Sequence, residues 1–195
     1  MRDWAHFIYL LCFIAAIMFS GWLFGRAYLV DCVTIRGHSM EPSFHEGERV
    51  WVSKVAVSRK KVNAGDVFVF RDLSDDHFLC KRCIAAPGDS ILYIRSHLDT
   101  TLYSYLLYAP AKGDSLSFDA ISFPRYARAI VWETGAESGF RAGYRFRHDW
   151  FYFLGDNRDH SVDSRHFGLV PDACLFGRVM GNQQDIFKRH INNNH

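Results

Sequence analysis

The chain has 195 residues, room for one core and a subdomain but hardly for two independent domains. Its 23 Lys plus Arg against 21 Asp plus Glu leave no basic footprint for a phosphate backbone, which argues against nucleic acid as a partner. At 49% hydrophobic and 16% aromatic residues it is too apolar for a disordered chain, and the aromatic excess suits a membrane interface, where rings are half wet and half buried.

The first element is the uncharged stretch FIYLLCFIAAIMFSGWLFG, residues 7 to 25. As a helix it roughly matches a ~30 Å hydrocarbon layer. A buried core helix would carry more polar positions than Tyr9 and Ser20. A cleaved export signal has a shorter apolar region ending in small residues, whereas Trp22, Leu23 and Phe24 are bulky. A retained anchor over residues 1–30 is therefore expected. Arg2 lies on one side and Arg26 and Arg36 on the other, so charge does not orient it.

Strand-like runs follow, punctuated by Gly, Pro and Asp: RVWVSKV (49–55), DVFVFR (66–71), FLCKRCIA (78–85), SILYI (90–94), WFYFL (150–154) and CLFGRVMG (174–181). They predict a mainly β, antiparallel architecture built from residues 31–95 and 150–185. Residues 96–149 read as an inserted smaller lobe. It holds one short helix, with Phe123, Tyr126, Ala127, Ile130 and Val131 on one face, Ser122 as its cap and Gly135 as its stop. Residues 186–195 read as a polar tail.

The five cysteines are an odd number, against a complete disulfide framework. CKRC (80–83) looks like half a redox or zinc motif, but a strand sends its two thiols to opposite faces, where small buried hydrophobes are the simpler reading. The ten histidines include no HExxH or Cys/His cluster with ligand spacing, so no metal is expected.

RGHSMEPS (36–43) contains Ser39, which needs a base to act as a nucleophile. His38 is adjacent in an extended or turn segment, where neighbouring side chains diverge. A Ser-His-Asp triad has residues available, His77, His148 or His160 with Asp156 or Asp163, but no motif behind it; GHSME is not a nucleophile elbow, since Glu41 replaces the second glycine. Lys81 fits better. In a strand it shares a face with Leu79, Cys83 and Ala85, and burial among apolar neighbours lowers a lysine pKa, which makes the amine a base.

Four stretches in order, GHSMEPS (37–43), GDVFVF (65–70), KRCIAAPGD (81–89) and GDNRDHSVDSRHFGLVP (155–171), resemble the boxes of the bacterial type I signal peptidases, membrane-bound Ser/Lys endopeptidases that remove export signals. The resemblance runs from residue 7 to 180 and is loose through the inserted lobe. It implies a signal-peptidase-like antiparallel β catalytic domain, with Ser39 as nucleophile and Lys81 as general base. It further implies that Ser161 orients the lysine amine, that Asp163 and Arg165 form a supporting ion pair with Arg82 nearby, and that Met40 packs beside the nucleophile. Gly155, Asp156 and Asn157 would set the turn that brings Ser161 close. No metal or organic cofactor is implied. The partners would be signal peptides of exported preproteins, cut after small residues (Ala-x-Ala type), and membrane lipid, onto which WFYFL or LYSYLLY (102–108) would settle unless they are strand core. The catalytic domain would stand on the outer face of a bacterial cytoplasmic membrane.

Mitochondrial inner-membrane peptidases carry similar boxes and stay open as an alternative, as does a catalytically idle, membrane-tethered peptide-binding module. The full last box and the long insert point to the bacterial form. Three departures stand out: Ser43 where threonine is usual, Ala85 where glycine is common, and Gly37 where some relatives place a hydroxyl that helps hold the oxyanion.

Overall fold

The computed structural model describes residues 2–58, 62–73, 77–96, 102–136 and 139–182; the polar tail at 186–195 lies outside them. Helix α1 (Arg2–Tyr28) contains the stretch His6–Leu23, with mean hydropathy 1.9 and no part of it buried against the rest of the protein. It is long and apolar enough to cross a membrane. Trp4, Phe13, Met18 and Trp22 all point outward, as expected of a helix without a polar face.

The chain continues through β1 (Val30–Thr34), β2 (Arg49–Ser53), the short turn of helix α2 (Val55–Ser58), β3 (Val67–Arg71) and β4 (Phe78–Ala85). A hairpin of β5 (Ser90–Ser96) and β6 (Leu102–Tyr108) comes next, then β7 (Ser115–Ser117), α3 (Phe123–Thr134) and β8 (Gly143–Arg145). The last elements are β9 (Trp150–Leu154), α4 (Ser164–Phe167), β10 (Val170–Pro171) and β11 (Leu175–Asn182). Seven strands form one antiparallel sheet in the order β1-β2-β11-β3-β4-β9-β10, so the mainly β reading holds.

Strand β3 explains why VFVF is continuously apolar. It lies mid-sheet with both faces covered, and Val67, Phe68, Val69 and Phe70 are all buried. Phe68 and Phe70 pack with Cys83, Phe153 and Phe167, while Val69 packs with Ile35, Val50 and Val52 on the other side. Strand β4 pairs beside it, with Lys81 opposite Phe68 and Cys80 opposite Val69. Cys83 therefore joins one cluster and Cys80 borders the other, and all five cysteines are free thiols. The CKRC spacing is strand alternation, not a thiol pair. An irregularity between Cys83 and Ala85 then sends Ala85 into a third cluster, under the lobe.

WFYFL does not form an exposed apolar face. Trp150 to Phe153 are buried because β9 is covered on both sides, Phe151 and Phe153 by the sheet cluster and Trp150 and Tyr152 by the lobe. In LYSYLLY the faces differ: Leu107 is buried and Leu106 exposed.

The hairpin β5-β6 forms its own two-stranded sheet, so the excursion from the main sheet begins at Ser90 rather than at residue 96. Within the lobe, α3 buries Phe123, Tyr126, Ala129 and Ile130 and stops at Gly135, whose φ of 65° suits glycine. The start differs from expectation. Ser122 is already helical and makes no side-chain cap, whereas the Asp119 carboxylate accepts from the Ile121 and Ser122 N–H groups and its carbonyl accepts from Phe123. The carboxylate is a stronger acceptor than a hydroxyl and takes the capping role.

Lobe and sheet share one core: Ala85, Trp150 and Tyr152 pack with Phe123, Tyr126 and Ile130. Glu133 fastens the junction. Its carboxylate accepts from Trp150 Nε1 at 2.9 Å, from the Tyr144 hydroxyl at 2.8 Å, and from the backbone N–H groups of Arg147 and His148. Glu133→Ala leaves four donors without their acceptor and is expected to destabilise the protein by about 2–4 kcal/mol. Thermal unfolding in detergent checks this, and an unchanged midpoint would dismiss the role.

Candidate active site

The loop that carries Ser39 leaves β1 at Ile35, whose N–H bonds the Glu48 carbonyl while its own carbonyl accepts from Gly47. Gly37, at φ 73°, allows the turn that follows. His38 looks away from Ser39: Nδ1 lies 2.8 Å from Glu41 and Nε2 3.3 Å from Glu46. Those two carboxylates raise the imidazole pKa, the Glu41 hydrogen bond most of all.

Lys81 reaches the Ser39 side chain from β4. It is 3% exposed, and its Nζ donates to Ser39 Oγ at 2.6 Å. In the neutral amine the direction reverses, with the hydroxyl donating. Burial pulls the lysine pKa below its ordinary value, against the opposing charges of Cys80 and Asp163. The first of these is inactive near neutral pH, because burial also pushes the Cys80 thiol up to about 12 and keeps it protonated.

Asp163 is fully buried and forked by Arg165, with Nε at 2.8 Å from Oδ1 and Nη2 at 2.9 Å from Oδ2. It also caps α4 and accepts from the Gly155 N–H at 3.0 Å. Burial alone would raise the carboxyl pKa, but the Arg165 guanidinium and the Gly155 N–H hold it below its ordinary value. The expected Asp163–Arg165 pair is thus present, and Arg82 is not part of it. Arg82 alternates to the opposite face of β4 from Lys81 and grips Asp156, Nε to Oδ1 at 2.8 Å and Nη2 to Oδ2 at 2.6 Å. Its remaining donors reach the Gly65 carbonyl and Ser43 Oγ, so serine supplies at 43 the hydroxyl that threonine would.

Ser161 is buried beside Asp163, whose carboxyl pKa its hydroxyl helps to lower, and the expected bond to the Lys81 amine is not made. Lys81 Nζ is engaged by Ser39 instead. Between the two serines runs the Gly155 backbone: a Cβ there would lie 2.1 Å from Ser161 Oγ and 2.6 Å from the Ser39 carbonyl. Close approach, beyond turn-making, is why glycine stands at 155. Asn157 completes a clamp on the Ser39 loop, its N–H donating to the Ser39 carbonyl at 3.0 Å and its Nδ2 to that of His38 at 3.1 Å.

Ser39 and Lys81 line a cleft of about 710 Å3, whose walls include Val33, Ile35, Met40, Val69 and Leu79. Met40, next to Ser39 in the chain, is buried. The wall from β1 was not anticipated, because Val30–Thr34 follows the anchor without a turn signal; the cue was Val33 and Ile35 at period 2.

The profile of the family described as Signal peptidase, peptidase S26 matches residues 1–181. The chain belongs to this family. Among curated proteins, signal peptidase IB of Staphylococcus aureus (strain COL) is 29% identical over 161 residues, covering 78% of this chain and 76% of that protein. Signal peptidase I of Bacillus licheniformis is 30% identical over 165 residues, covering 83% of this chain and 78% of the relative. A crystal structure of a signal peptidase I from Enterococcus faecalis aligns at 25% identity and a TM-score of 0.31, covering 60% of this chain and 96% of that one. The protein is thus a serine peptidase of signal peptides with an apolar N-terminal helix suited to membrane anchoring.

Gly155→Ala would push Ser161 from the Ser39 carbonyl. The variant is expected to cleave a preprotein at least about 100-fold more slowly, since displacements near 1 Å at a reacting centre have that effect. Wild-type turnover in a detergent assay would refute the close-approach reading.

Proposed function

We propose that the peptidase cleaves signal peptides from exported preproteins with Ser39 as nucleophile and Lys81 as general base. The observation that carries this is the 2.6 Å contact between a buried amine of lowered pKa and the only hydroxyl it bonds among the described residues. The neutral Lys81 amine takes the Ser39 proton as Oγ attacks the scissile carbonyl, and the Ser39 N–H donates to the developing oxyanion. Collapse breaks the peptide bond, with the Lys81 ammonium returning its proton to the leaving nitrogen. A water, deprotonated by the same amine, then releases the acyl group.

Ser161 is the positioning partner in this reading. Its buried Oγ lies against Gly155 and beside Asp163, and a bond from it to Lys81 would steer the amine. The cleft's apolar walls beside Ser39 suit small apolar residues before the cut, and a larger side chain would clash. Strand β1, one wall of that cleft, follows α1 after Leu29 alone, and the Leu29 carbonyl accepts from the Lys54 N–H, which ties sheet to anchor. A site so near the bilayer meets a signal peptide as its apolar segment ends. This supports a catalytic domain on the outer face of a bacterial cytoplasmic membrane.

Ser39→Ala, Lys81→Ala and Lys81→Arg are each expected to lower preprotein cleavage in detergent about a thousandfold or more, the arginine because it stays protonated. Retained cleavage in Lys81→Arg would reject the lysine as base while leaving Ser39 in place.

The pH profile carries an independent check. Only the neutral amine is active and its pKa is lowered, so kcat/KM should rise with pH along an acid limb and level off below the ordinary lysine range. A limb still climbing where free lysines titrate would contradict it.

A further inference from the structure

We propose that Arg36 is a specificity-determining residue, which favours an acidic side chain at the second position before the cut, the x of an Ala-x-Ala site. This rests on cleavage by Ser39 and Lys81, and it narrows the class of preprotein that is cut best. The described residues that line the cleft beside Ser39 include Arg36, His77 and Lys81 but no Asp or Glu. A guanidinium keeps its charge at any pH where Lys81 works as a neutral base. The carboxylates nearest in the chain have other partners. Glu41 and Glu46 flank His38, at 2.8 and 3.3 Å, and Glu48 accepts from the His45 N–H at 2.9 Å.

Its place follows from alternation. Past the end of β1 the ladder runs on through Ile35, which bonds Gly47 and Glu48 by its backbone. Thr34 is exposed, Ile35 is buried with Val50 and Val52, and Arg36 is exposed again. Ile35 and Arg36 thus carry the apolar wall and a cation on opposite sides of one backbone. An extended substrate alternates in the same way. With its first and third residues before the cut against Val33, Ile35 and Leu79, its second turns away from that wall, to the side where Arg36 stands. A guanidinium there can fork a carboxylate, bonds a neutral amide more weakly, and repels an ammonium.

The test uses the full chain in nonionic detergent and one preprotein whose site reads Ala-Gln-Ala, Ala-Glu-Ala or Ala-Lys-Ala. In competition the Glu form should show a kcat/KM about two- to fivefold above the Gln form, with the Lys form below both. Arg36→Gln should bring the three rates together. Arg36→Glu should reverse their order, which a loss of packing alone would not do. In about 1 M salt the wild-type preference should shrink, because the screening length falls to ~3 Å. Equal rates for the three sites in the wild-type protein overturn the proposal and leave cleavage by Ser39 standing, as does a Glu preference that survives in Arg36→Gln. Cleavage of the Ala-Gln-Ala form that persists in Ser39→Ala would instead overturn the cleavage mechanism, and the proposal with it. Should an Arg36 variant fail to fold, the wild-type order and its salt dependence still decide.

Discussion

As the proposed base, Lys81 needs surroundings that make its ammonium the less favourable form, and its burial in this fold works to that end. Lys81 sits on the strand flanked by β3 and β9, opposite Phe68, with the aromatic cluster of Phe70 and Phe153 close along the same face. Water is excluded by packing that exists before any substrate arrives, as its 3% exposure shows.

Low dielectric also magnifies every nearby charge, and here the two ion pairs matter more for what they cancel than for what they bind. A bare Asp163 beside Lys81 would hold the ammonium and undo the desolvation. The two-pronged grip of Arg165 compensates that carboxylate while leaving it ionised, so it can still cap α4 and hold the Gly155 N–H. Arg82 and Asp156 do the parallel work on the outer side of β4, where they fix the start of the last box to Gly65 and Ser43. With Asn157 bonded to the carbonyls of His38 and Ser39, the box reaches the nucleophile through backbone rather than through a chain of side chains. Backbone contacts tolerate little displacement, which is why one glycine at 155 carries so much of the geometry.

What could be read from the sequence followed the strength of the local signal. The anchor, the VFVF strand and the helix of the lobe announce themselves by length or period, and Ser39 and Lys81 stand in dense motifs. Partners across the fold were harder to see. Arg82 follows Lys81 in the chain, so proximity suggested a shared network, but strand alternation sends neighbours apart and gives Arg82 to Asp156. Trp150 to Phe153 looked as suited to a membrane face as to a core, because a run without alternation is apolar on both sides; only the lobe packed over β9 decides between them. Strand β1 was hidden by its lack of a boundary with the anchor, and the cap of α3 by a serine at the conventional position with a stronger acceptor three residues earlier.

The lobe shows how an insertion can be loose in sequence and still be bound to the site. It shares one continuous core with the sheet through Ala85, Trp150 and Tyr152, and the Glu133 carboxylate gathers four donors from the segment that leads into β9. Strand β9 in turn pairs with β4 at Arg82 and Cys83, the residues that follow Lys81. The lobe therefore borders the same strand that carries Lys81, and its buried side chains are part of what keeps that strand in register. An insertion attached only by its two ends would leave β9 with one face open to water. Packed as it is, β9 is covered on both faces.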